Sequence, residues 1–590
     1  MPVASVVLRA RPRPMRHRKV ATAIAIVVAA LGVSCDALLG VPDPVLRSAD
    51  GGPAPPFVDA SSSLDATTGV DATIGTSDGG GSSDDAGPTT LTLDHPALDL
   101  GPVTYAQAST AAKCTLTNTG ASPATSLAFQ IGGPNASDFA QSNDCGTSLA
   151  AGASCHLAIV FTPTDVGPRH ATLSVTSDAG GASVTMGGTG AYAYGELTDL
   201  TLWEQADLTP LFAHLDAGVP LFGGSAFDGR HIYLFPNGQY QSIAVQYDTT
   251  HPFGLDGGAF AAFDTMNIKG MPDTGSSPAY FGAVFDGRYV YGVPNDQGHG
   301  VVRYDTQALF GDRTSWERYD PSMSNAALGT FCGGAFDGRY VYFAPLAGTG
   351  PSGVALRYDT QAVSFTDPAG WVPFDVTLKN PLAKGFNGAL YDGKYVYFVP
   401  DFNGTTNDGI VARFDPSGGF QNVGSWLTFD TTQVSPNARG FEGAVYDGTY
   451  VYLVPNYAGA QDGVIARYEA GGGFADASSW TSFDLAARNP AFVGYSGGVF
   501  DGRYLYLAPN TNEFQQPSGL VTRMDTQAPF DAGASWNAFD TTQLNDAAAS
   551  YSNAAFDGRY VYLVPNSALF LRFHAKEPAG MPAGYHGSFF

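Results

Sequence analysis

The sequence has little positive charge. Its 590 residues include 29 Lys and Arg against 54 Asp and Glu, which gives a formal net charge of −25. The first 34 residues hold six basic residues and no acid, so the chain from Cys35 onward carries −31. A surface of that sign argues against nucleic-acid binding and against docking on anionic lipid.

Cysteine and histidine are also scarce, with 5 and 10 residues respectively. Between residues 193 and 577 the only cysteine is Cys332, and the histidines show no spacing typical of metal ligands. These histidines are His214, His231, His251, His299 and His574. We therefore predict no metal, no cofactor and no catalytic residue.

The N-terminal apolar run is too short to cross a membrane. It extends for 14 residues from Val20 to Val33, whereas a membrane-spanning helix needs about 20. Basic residues precede it up to Lys19, so residues 1–34 are predicted to be an export signal peptide. The segment from Leu31 to Cys35 resembles the lipobox of bacterial lipoproteins, which implies lipidation of Cys35. Ordinary cleavage stays an alternative, because Leu31 lies one place early and Gly32 occupies the usual apolar position.

Residues 35–90 contain almost no aromatic or large aliphatic side chains. Ala, Ser, Thr, Gly, Asp and Pro dominate, as in the stretch from Asp78 to Asp85. Such a segment buries too little apolar area to offset its ordering entropy. We predict a flexible linker behind the lipid anchor.

Residues 91–192 show short alternating runs such as Leu157 to Phe161 and Ala171 to Val175. Alternation over about five residues, interrupted by Gly, Pro and Asn, indicates half-buried antiparallel strands, and about 100 residues of them suit a β-sandwich. Cys145 and Cys155 enclose a short loop, and in an exported protein such a pair favours a disulfide over a metal site. Cys114, in a strand pattern, is expected to be a buried free thiol.

Several motifs in this segment occur together and in order. They are Leu116-Thr117-Asn118-Thr119-Gly120, Leu149 to Cys155, Phe161-Thr162-Pro163 and Gly188-Thr189-Gly190. The segment resembles the Hydin-type (choice-of-anchor D-like) Ig-like domains, a group that includes bacterial surface modules. The resemblance implies a spacing or attachment role.

The rest of the chain repeats. One phrase of about ten residues, as in Phe285 to Pro294, occurs seven times, and its Asp-Gly pairs are separated by 51 to 58 residues. The repeated aspartates are Asp228, Asp286, Asp337, Asp392, Asp447, Asp501 and Asp557. A period of this size indicates a repeat architecture, and 73 Gly with 39 Pro favour turn-dense β structure.

Each repeat divides into four strand-like runs. The first begins with an aromatic residue and continues with small residues, which suits a strand crowded near an axis. Asp-Gly follows, the preferred pair for a type I′ hairpin turn. The second run carries a tyrosine, such as Tyr291, that we expect to pack between neighbouring sheets. In the third run, as in Arg303-Tyr304-Asp305, Arg and the acid share a strand face, which predicts a repeated ion pair or an inter-blade hydrogen bond.

The fourth run holds all six tryptophans, and Phe260 takes the seventh place. Trp203 precedes the first Asp-Gly, whereas no equivalent follows the last. A ring of seven four-stranded blades closes if the strand around Trp203 completes the last blade. The hairpin, the Arg-Tyr-Asp strand and the Trp strand resemble the kelch family. The fold class is therefore all-β, with an Ig-like β-sandwich followed by a seven-bladed β-propeller over 193–577 and a tail over 578–590.

These observations favour a non-enzymatic, lipid-anchored protein of the bacterial cell envelope, at the outer membrane or cell surface. It would be a monomer that binds a protein or polysaccharide partner. The candidate binding rim comprises the residues just after the second run, namely Asn237, Asn295, Asp401, Asn456, Asn510 and Asn566. The alternatives are a secreted carbohydrate-active enzyme with its site at the mouth of the propeller channel, and a purely structural envelope protein.

Overall fold

A computed structural model describes residues 90–582 except 179, 214–220, 239–241, 297, 324, 326–327 and 349. The predicted signal peptide, Cys35 and the linker up to residue 89 lie outside the described residues, as does the end of the tail. Two compact units are present, one built from 90–194 with Lys576–Pro578, the other from Gly195–Ala575 with 579–582. None of the described residues forms a helix that is long and apolar enough to cross a membrane.

The N-terminal unit is an Ig-like domain with two four-stranded sheets. One sheet has the order Leu91–Leu93, Ala112–Asn118, Ser154–Phe161 and Phe139–Asn143, and the other has Ala97–Thr104, Gly180–Ala191, Gly167–Ser177 and Ala128–Gly132. Two short pairs complete it, Ala124–Thr125 with Ser148–Leu149 and Ala193–Tyr194 with Lys576–Glu577. The pairing of Ala97–Thr104 with Gly180–Ala191 is parallel, so the expectation of antiparallel strands holds for the other pairs.

The second unit contains seven four-stranded antiparallel sheets, numbered here in chain order of their first strands. Their strands are as follows: sheet 1, Phe222–Phe227, His231–Pro236, Ile243–Asp248 and Phe260–Asp264; sheet 2, Tyr280–Phe285, Tyr289–Pro294, Val301–Asp305 and Trp316–Tyr319; sheet 3, Thr330–Phe336, Tyr340–Ala347, Val354–Asp359 and Trp371–Asp375; sheet 4, Phe386–Tyr391, Val396–Pro400, Ile410–Phe414 and Trp426–Asp430; sheet 5, Phe441–Tyr446, Tyr450–Pro455, Val464–Glu469 and Trp480–Asp484; sheet 6, Tyr495–Phe500, Tyr504–Pro509, Leu520–Asp525 and Trp536–Asp540; sheet 7, Tyr551–Phe556, Tyr560–Pro565, Leu569–His574 and Trp203–Asp207.

The only helical elements among the described residues are short 3-10 turns. They are Ala136–Asp138, Leu200–Leu202, Thr209–Phe212, Thr265–Asn267, Arg313–Ser315, Pro321–Met323, Pro368–Gly370, Val376–Leu378, Val423–Ser425, Thr431–Gln433, Ala477–Ser479, Gly533–Ser535 and Thr541–Gln543. Most turns that flank the fourth strands are capped by an Asp or Asn side chain that accepts a backbone N–H, as Asp312 accepts that of Thr314. The fold is all-β, as the sequence predicts.

The first strands of neighbouring sheets lie against each other. Each contacts the first strand of the next sheet, and the first strand of sheet 7 contacts that of sheet 1. A Cβ atom on Gly224 would lie 2.4 Å from the backbone nitrogen of Gly282 in sheet 2. Only glycine permits that approach, which confirms the expected use of small residues there.

The turn after the first strand differs from the predicted type I′ turn. The N–H of Asp286 donates to the carbonyl oxygen of Tyr289, which leaves Gly287 and Arg288 as the central pair. Of these two, only Gly287 has a positive φ, at +97°, whereas type I′ requires positive φ at both positions and type II′ places Gly first. The type I′ prediction is wrong because the turn lies one residue later, where the Asp286 carboxylate accepts the N–H groups of Arg288 and Tyr289 at 2.8 and 2.6 Å.

The repeated tyrosine of the second strand joins its own sheet to the next one. Its hydroxyl donates to the turn aspartate at 2.6 to 2.9 Å in all seven sheets. Its ring lies 5.7 to 6.1 Å from an aromatic ring of the following repeat, as in Tyr291 with Tyr358. The prediction that these tyrosines pack between sheets is confirmed.

The arginine and the acid of the third strand do not pair with each other. Asp305 instead binds Arg288 of the turn at 2.7 Å, and the same pairing recurs in sheets 1, 3 and 6. Arg303 lies over the ring of Tyr289 in its own sheet and over that of Phe365 from the next repeat. The predicted ion pair within the strand is therefore wrong, whereas the predicted hydrogen bond between sheets is present, for example from Arg572 to the Tyr247 hydroxyl at 3.0 Å.

The tryptophans of the fourth strands also connect neighbouring sheets. Each indole N–H donates to the carbonyl oxygen six residues earlier, as Trp426 does to Phe420 at 2.9 Å. Each ring stacks on an aromatic ring in the fourth strand of the preceding sheet, with centroids 4.6 to 6.2 Å apart. Most of these rings are under 8% exposed and form the core between sheets.

Sheet 7 is completed by the strand that comes first in the chain. Trp203–Asp207 pairs antiparallel with Leu569–His574, and Arg572 binds Glu204 across this pairing at 2.9 Å. Arg572 also lies 4.7 Å from the centroid of Phe253, in the loop of sheet 1. The predicted place of the Trp203 strand as the fourth strand of the last sheet is confirmed.

We expect loss of this strand to expose a sheet edge. Replacing residues 196–208 by a Gly-Ser linker of equal length uncovers the backbone groups of Leu569–His574, and an uncovered strand favours intermolecular pairing. The variant should aggregate in sedimentation measurements and lose thermal cooperativity. A synthetic peptide of residues 196–210 should restore soluble monomer and a scrambled peptide should not. A soluble variant of unchanged melting temperature would contradict the expectation.

Candidate ligand-binding sites

The six predicted rim residues lie directly after the second strands and point largely into the protein. Asn237, Asp401 and Asn456 are buried, with 7 to 8% exposure, and the other three are half-buried. The Asn456 side-chain amide donates to the carbonyl oxygen of Tyr495 in the next sheet at 2.9 Å, and Asn295 donates to that of Phe331 at 3.3 Å. These amides therefore connect adjacent sheets and do not form an exposed polar rim.

One of these residues, Asp401, shares its loop with a second buried carboxyl group, that of Asp408. Burial raises the pKa of Asp401 to about 7, against the opposing hydrogen bonds from Asn407 and Asn387. Burial also raises the pKa of Asp408 to about 8, with further contributions from the charges of Asp401 and Asp430. The two residues come from one loop, in which the N–H of Asp408 donates to the carbonyl oxygen of Asp401 at 2.9 Å. Asp408 is therefore predominantly neutral at pH 7.

Asp408 occupies a position where the repeats of sheets 3, 6 and 7 have serine. Its Oδ1 accepts the N–H of Ile410 at 2.8 Å, as the Ser352 hydroxyl accepts that of Val354 in sheet 3. The second carboxyl oxygen of Asp408 is buried and has no hydrogen-bond partner, and the same holds for Asp462 of the next repeat, whose pKa burial raises to about 6. This change is not among the predictions made from the sequence, although its signal there is Asp in place of Ser before the Gly that precedes the third strand.

The loop of Asp408 is arranged as a turn. The side-chain oxygen of Asn403 accepts the N–H groups of Thr405 and Thr406 at 3.0 and 3.2 Å. Asn407 donates to Asp401 at 3.2 Å. In the described part of the chain, the one group of acids, cysteines and histidines close enough to share a metal is Asp144 with Cys145 and Cys155. Both of its cysteines are joined to each other in a disulfide.

That disulfide, with an S–S distance of 2.00 Å, closes a loop of the Ig-like domain. Cys114 is free and buried in the same domain. Burial, with a smaller contribution from the charge of Asp94, raises the pKa of the Cys114 thiol to about 11. A thiol with such a pKa is almost wholly protonated at pH 7 and is a poor nucleophile or metal ligand. Neither the disulfide nor Cys114 therefore supplies a reactive thiol.

A groove of about 970 Å³ lies between sheets 1 and 2. Its wall on sheet 1 includes Gln246, Ala261 and Phe263, and its wall on sheet 2 includes Leu309 and Phe310. The remaining lining residues are Ala262, Asp264, Asn267, Gly311, Asp312 and Arg313. Leu309 is 78% exposed beside it. It is an open groove lined by both apolar and polar groups, and such a surface can bind a ligand.

The groove lies where sheet 1 lacks the arginine of the repeated third strand, and a small residue stands opposite that position. Gln246 pairs with Ala261 in the register where Arg303 pairs with Glu317 in sheet 2. Compared with sheet 2, sheet 1 thus has the shorter amide of Gln246 in place of a guanidinium and the methyl group of Ala261 in place of a carboxylate. The missing arginine is visible in the sequence, where the first copy reads Gln246-Tyr247-Asp248, but only the register shows that a small residue, Ala261, lies opposite Gln246.

Comparisons with known proteins identify the first domain. Residues 89–189 match the family model described as HYDIN/CFA65/VesB-like, Ig-like domain. The VesB protease of Vibrio cholerae has a solved structure that is 20% identical over 17% of this chain and 31% of the protease, with a TM-score of 0.14. No curated protein matches the chain.

Two solved structures from Bacteroides thetaiotaomicron are similar over a larger part of the chain. A protein of unknown function is 9% identical over 83% of this chain and 99% of its own, with a TM-score of 0.36. A quinonprotein alcohol dehydrogenase-like protein is 12% identical over 72% of this chain and 92% of its own, with a TM-score of 0.33. The match to the family model therefore assigns residues 89–189 to an Ig-like domain of the HYDIN/CFA65/VesB type.

Proposed function

We propose that the seven sheets are the blades of a closed, kelch-like β-propeller, which a bacterial envelope lipoprotein uses to bind a protein or polysaccharide partner without catalysis. The cyclic order of contacts between first strands supports the ring. The contact of Arg572 with Phe253 and Tyr247, which repeats the contact between other neighbouring sheets, supports it further.

The observation that carries a binding role is how the recurring residues are used. The turn aspartates, the second-strand tyrosines, the third-strand arginines and the tryptophans are engaged in holding sheets together. The site that departs from this pattern, between sheets 1 and 2, is an open groove. Binding surfaces are expected where a scaffold varies.

The proposal is tested by a capture experiment with the full chain. We expect immobilised protein to retain a surface protein or a glycan from an envelope extract, and the retained glycan to keep its chain length. Reducing-end release and mass spectrometry measure this. Turnover of a polysaccharide without retention of any partner would overturn the proposal.

The anchor is proposed from the sequence around Cys35. A lipid there, followed by residues 36–90 as a tether, would hold the two folded units at the envelope. The mean reach of about 55 flexible residues is roughly 40 Å. The tether would let the propeller meet partners beyond the membrane surface.

We expect Cys35→Ser to release the protein into the soluble fraction and to abolish labelling with an alkyne fatty acid, because the lipidated thiol is lost. Fractionation and in-gel fluorescence measure both effects. Cys114→Ser is the matched control, since it removes a buried thiol of the Ig-like domain and should leave labelling unchanged. Labelling that survives Cys35→Ser would place the anchor elsewhere.

One observation favours the enzymatic alternative. Asp401, Asp408 and Asp462 have pKa values raised to about 7, 8 and 6, and a general acid of a glycosidase needs a pKa of this kind. Against this, Asp401 and Asp408 are only 7% and 6% exposed. We therefore propose that these carboxyls are structural.

A structural role of Asp408 predicts a pH dependence of stability. The pKa of Asp408 is about 8 in the folded protein and about 4 in the unfolded chain. Between these pH values the folded protein binds a proton at Asp408 that the unfolded chain has lost. The free energy of unfolding therefore falls as the pH rises through that range. Asp408→Asn should match the wild type near pH 4 and exceed its free energy of unfolding near pH 9 by several kcal/mol, at about 1.4 kcal/mol per pKa unit.

Denaturant unfolding at both pH values measures this difference, and polysaccharide hydrolysis is assayed on the same samples. Asp415→Asn, at an exposed-loop aspartate whose Oδ1 accepts the N–H of Ser417, provides a control with the same chemical change. The enzymatic alternative would be supported instead if the wild type hydrolyses a polysaccharide, Asp408→Asn does not, and the two proteins are equally stable at high pH.

A further inference from the structure

The groove between sheets 1 and 2 lies where six other sheets place an arginine. In sheets 2 to 7 the third-strand guanidinium lies 3.9 to 4.1 Å from the centroid of a tyrosine in its own second strand. In five of these sheets it also lies 4.2 to 4.9 Å from the centroid of a phenylalanine of the next repeat. Sheet 1 has Gln246 at this position.

One of the two ring surfaces for such a guanidinium is retained across the groove, whereas His231 takes the place of the tyrosine. Phe310 precedes Trp316 by six residues, as Phe365 precedes Trp371, and both carbonyls accept the indole N–H at 2.9 Å. Phe310 thus holds the place in which Phe365 receives Arg303, and it lines the groove. Gln246 carries an amide that both donates and accepts hydrogen bonds, and it already donates to Tyr233 at 3.2 Å.

The charged groups of the groove favour a cation. Asp264 and Asp312 lie in its lining together with one base, Arg313. Each aspartate uses Oδ1 to cap a turn, accepting the N–H groups of Met266 and Thr314. The lining therefore carries one net negative charge in a chain of net charge −25, and this attracts a cation into the apolar groove.

We propose that this groove binds an arginine side chain presented by an extended segment of a partner protein. The guanidinium would take the place of the arginine that sheet 1 lacks. Because Phe310 is 5% exposed, the Gln246 side chain has to turn aside for the guanidinium to stack on that ring. Arginine is favoured over lysine because a planar guanidinium stacks on an aromatic face. A groove of about 970 Å³ is at the upper end of the range for ligand sites, so it accommodates neighbouring residues of the segment as well. The inference rests on the proposed binding function and specifies its ligand.

The test uses the full chain and a capped pentapeptide with arginine at its centre and glycine on both sides. Calorimetry should detect binding, and replacing the arginine by citrulline, which has a similar shape and no charge, should weaken the affinity by at least about tenfold. The lysine peptide should bind less tightly than the arginine peptide. Equal affinity for the arginine and citrulline peptides, or no heat from either, would overturn the proposal.

The groove can be filled from within by introducing the residue pair of sheet 2. The double variant Gln246→Arg/Ala261→Glu supplies the ion pair that Arg303 and Glu317 form in sheet 2. It should reduce affinity for the arginine peptide by at least about tenfold and leave the melting temperature equal or higher. The control Val363→Arg/Asn537→Glu adds the same charges away from the groove and should leave affinity unchanged. Unchanged affinity in the filled variant would overturn the proposal.

Photocrosslinking of the wild type tests the proposal even if the filled variant, Gln246→Arg/Ala261→Glu, fails to fold. An arginine peptide with a photoreactive flanking residue should crosslink to residues 260–264 or 309–313, and crosslinks confined to other sheets would overturn the proposal. The capture experiment distinguishes the proposed binding function from the proposed binding of arginine in the groove. A partner retained equally by the wild type and the filled variant would overturn arginine binding in the groove and leave the proposed binding function standing.

Discussion

Contact between neighbouring sheets is the interaction on which the second unit depends. A four-stranded sheet of five- to eight-residue strands has two faces and cannot bury either one alone. Most sheets supply a tyrosine, an arginine and a fourth-strand aromatic ring to one neighbour and receive a tryptophan contact from the other side. Because these contacts recur in most repeats, buried residues from all seven sheets join in one continuous core.

The same contacts explain why the aspartate is invariant among the seven turns. A turn with glycine at its first central position needs no aspartate for its backbone geometry. The carboxylate of Asp286 instead accepts two backbone N–H groups and the hydroxyl of Tyr291, which is fully buried. A buried hydroxyl without a partner is costly, by roughly 1 to 3 kcal/mol. The aspartate therefore belongs to the packing between sheets as much as to the turn.

The sequence predicts the period, the four strands of each repeat and the place of the Trp203 strand, because these depend on local alternation and on counting copies. It also predicts the packing role of the tyrosines. It fails where a side chain has two possible partners. Asp305 shares a strand face with Arg303, yet it binds Arg288 of the adjacent turn, and only the register decides between them. The Asn456 side chain is likewise bound by the next sheet, at the carbonyl oxygen of Tyr495, which local sequence does not specify.

Two departures from the repeat show how a variable contact is either compensated or left open. Where sheet 7 meets sheet 1, Ala206 and Phe260 stand in place of a large aromatic ring and a tryptophan, and Phe253 fills the space by packing on Phe570 and Arg572.

Where sheet 1 meets sheet 2, the stack of Phe263 on Trp316 is retained at 4.7 Å, but nothing in the described part of the chain fills the space beside Gln246. The retained stack keeps the sheets joined while the groove stays accessible. Sequence rules that hold at every other repeat are expected to fail at functional sites, and the uncompensated departure therefore marks the groove as the place where a ligand replaces a contact of the scaffold.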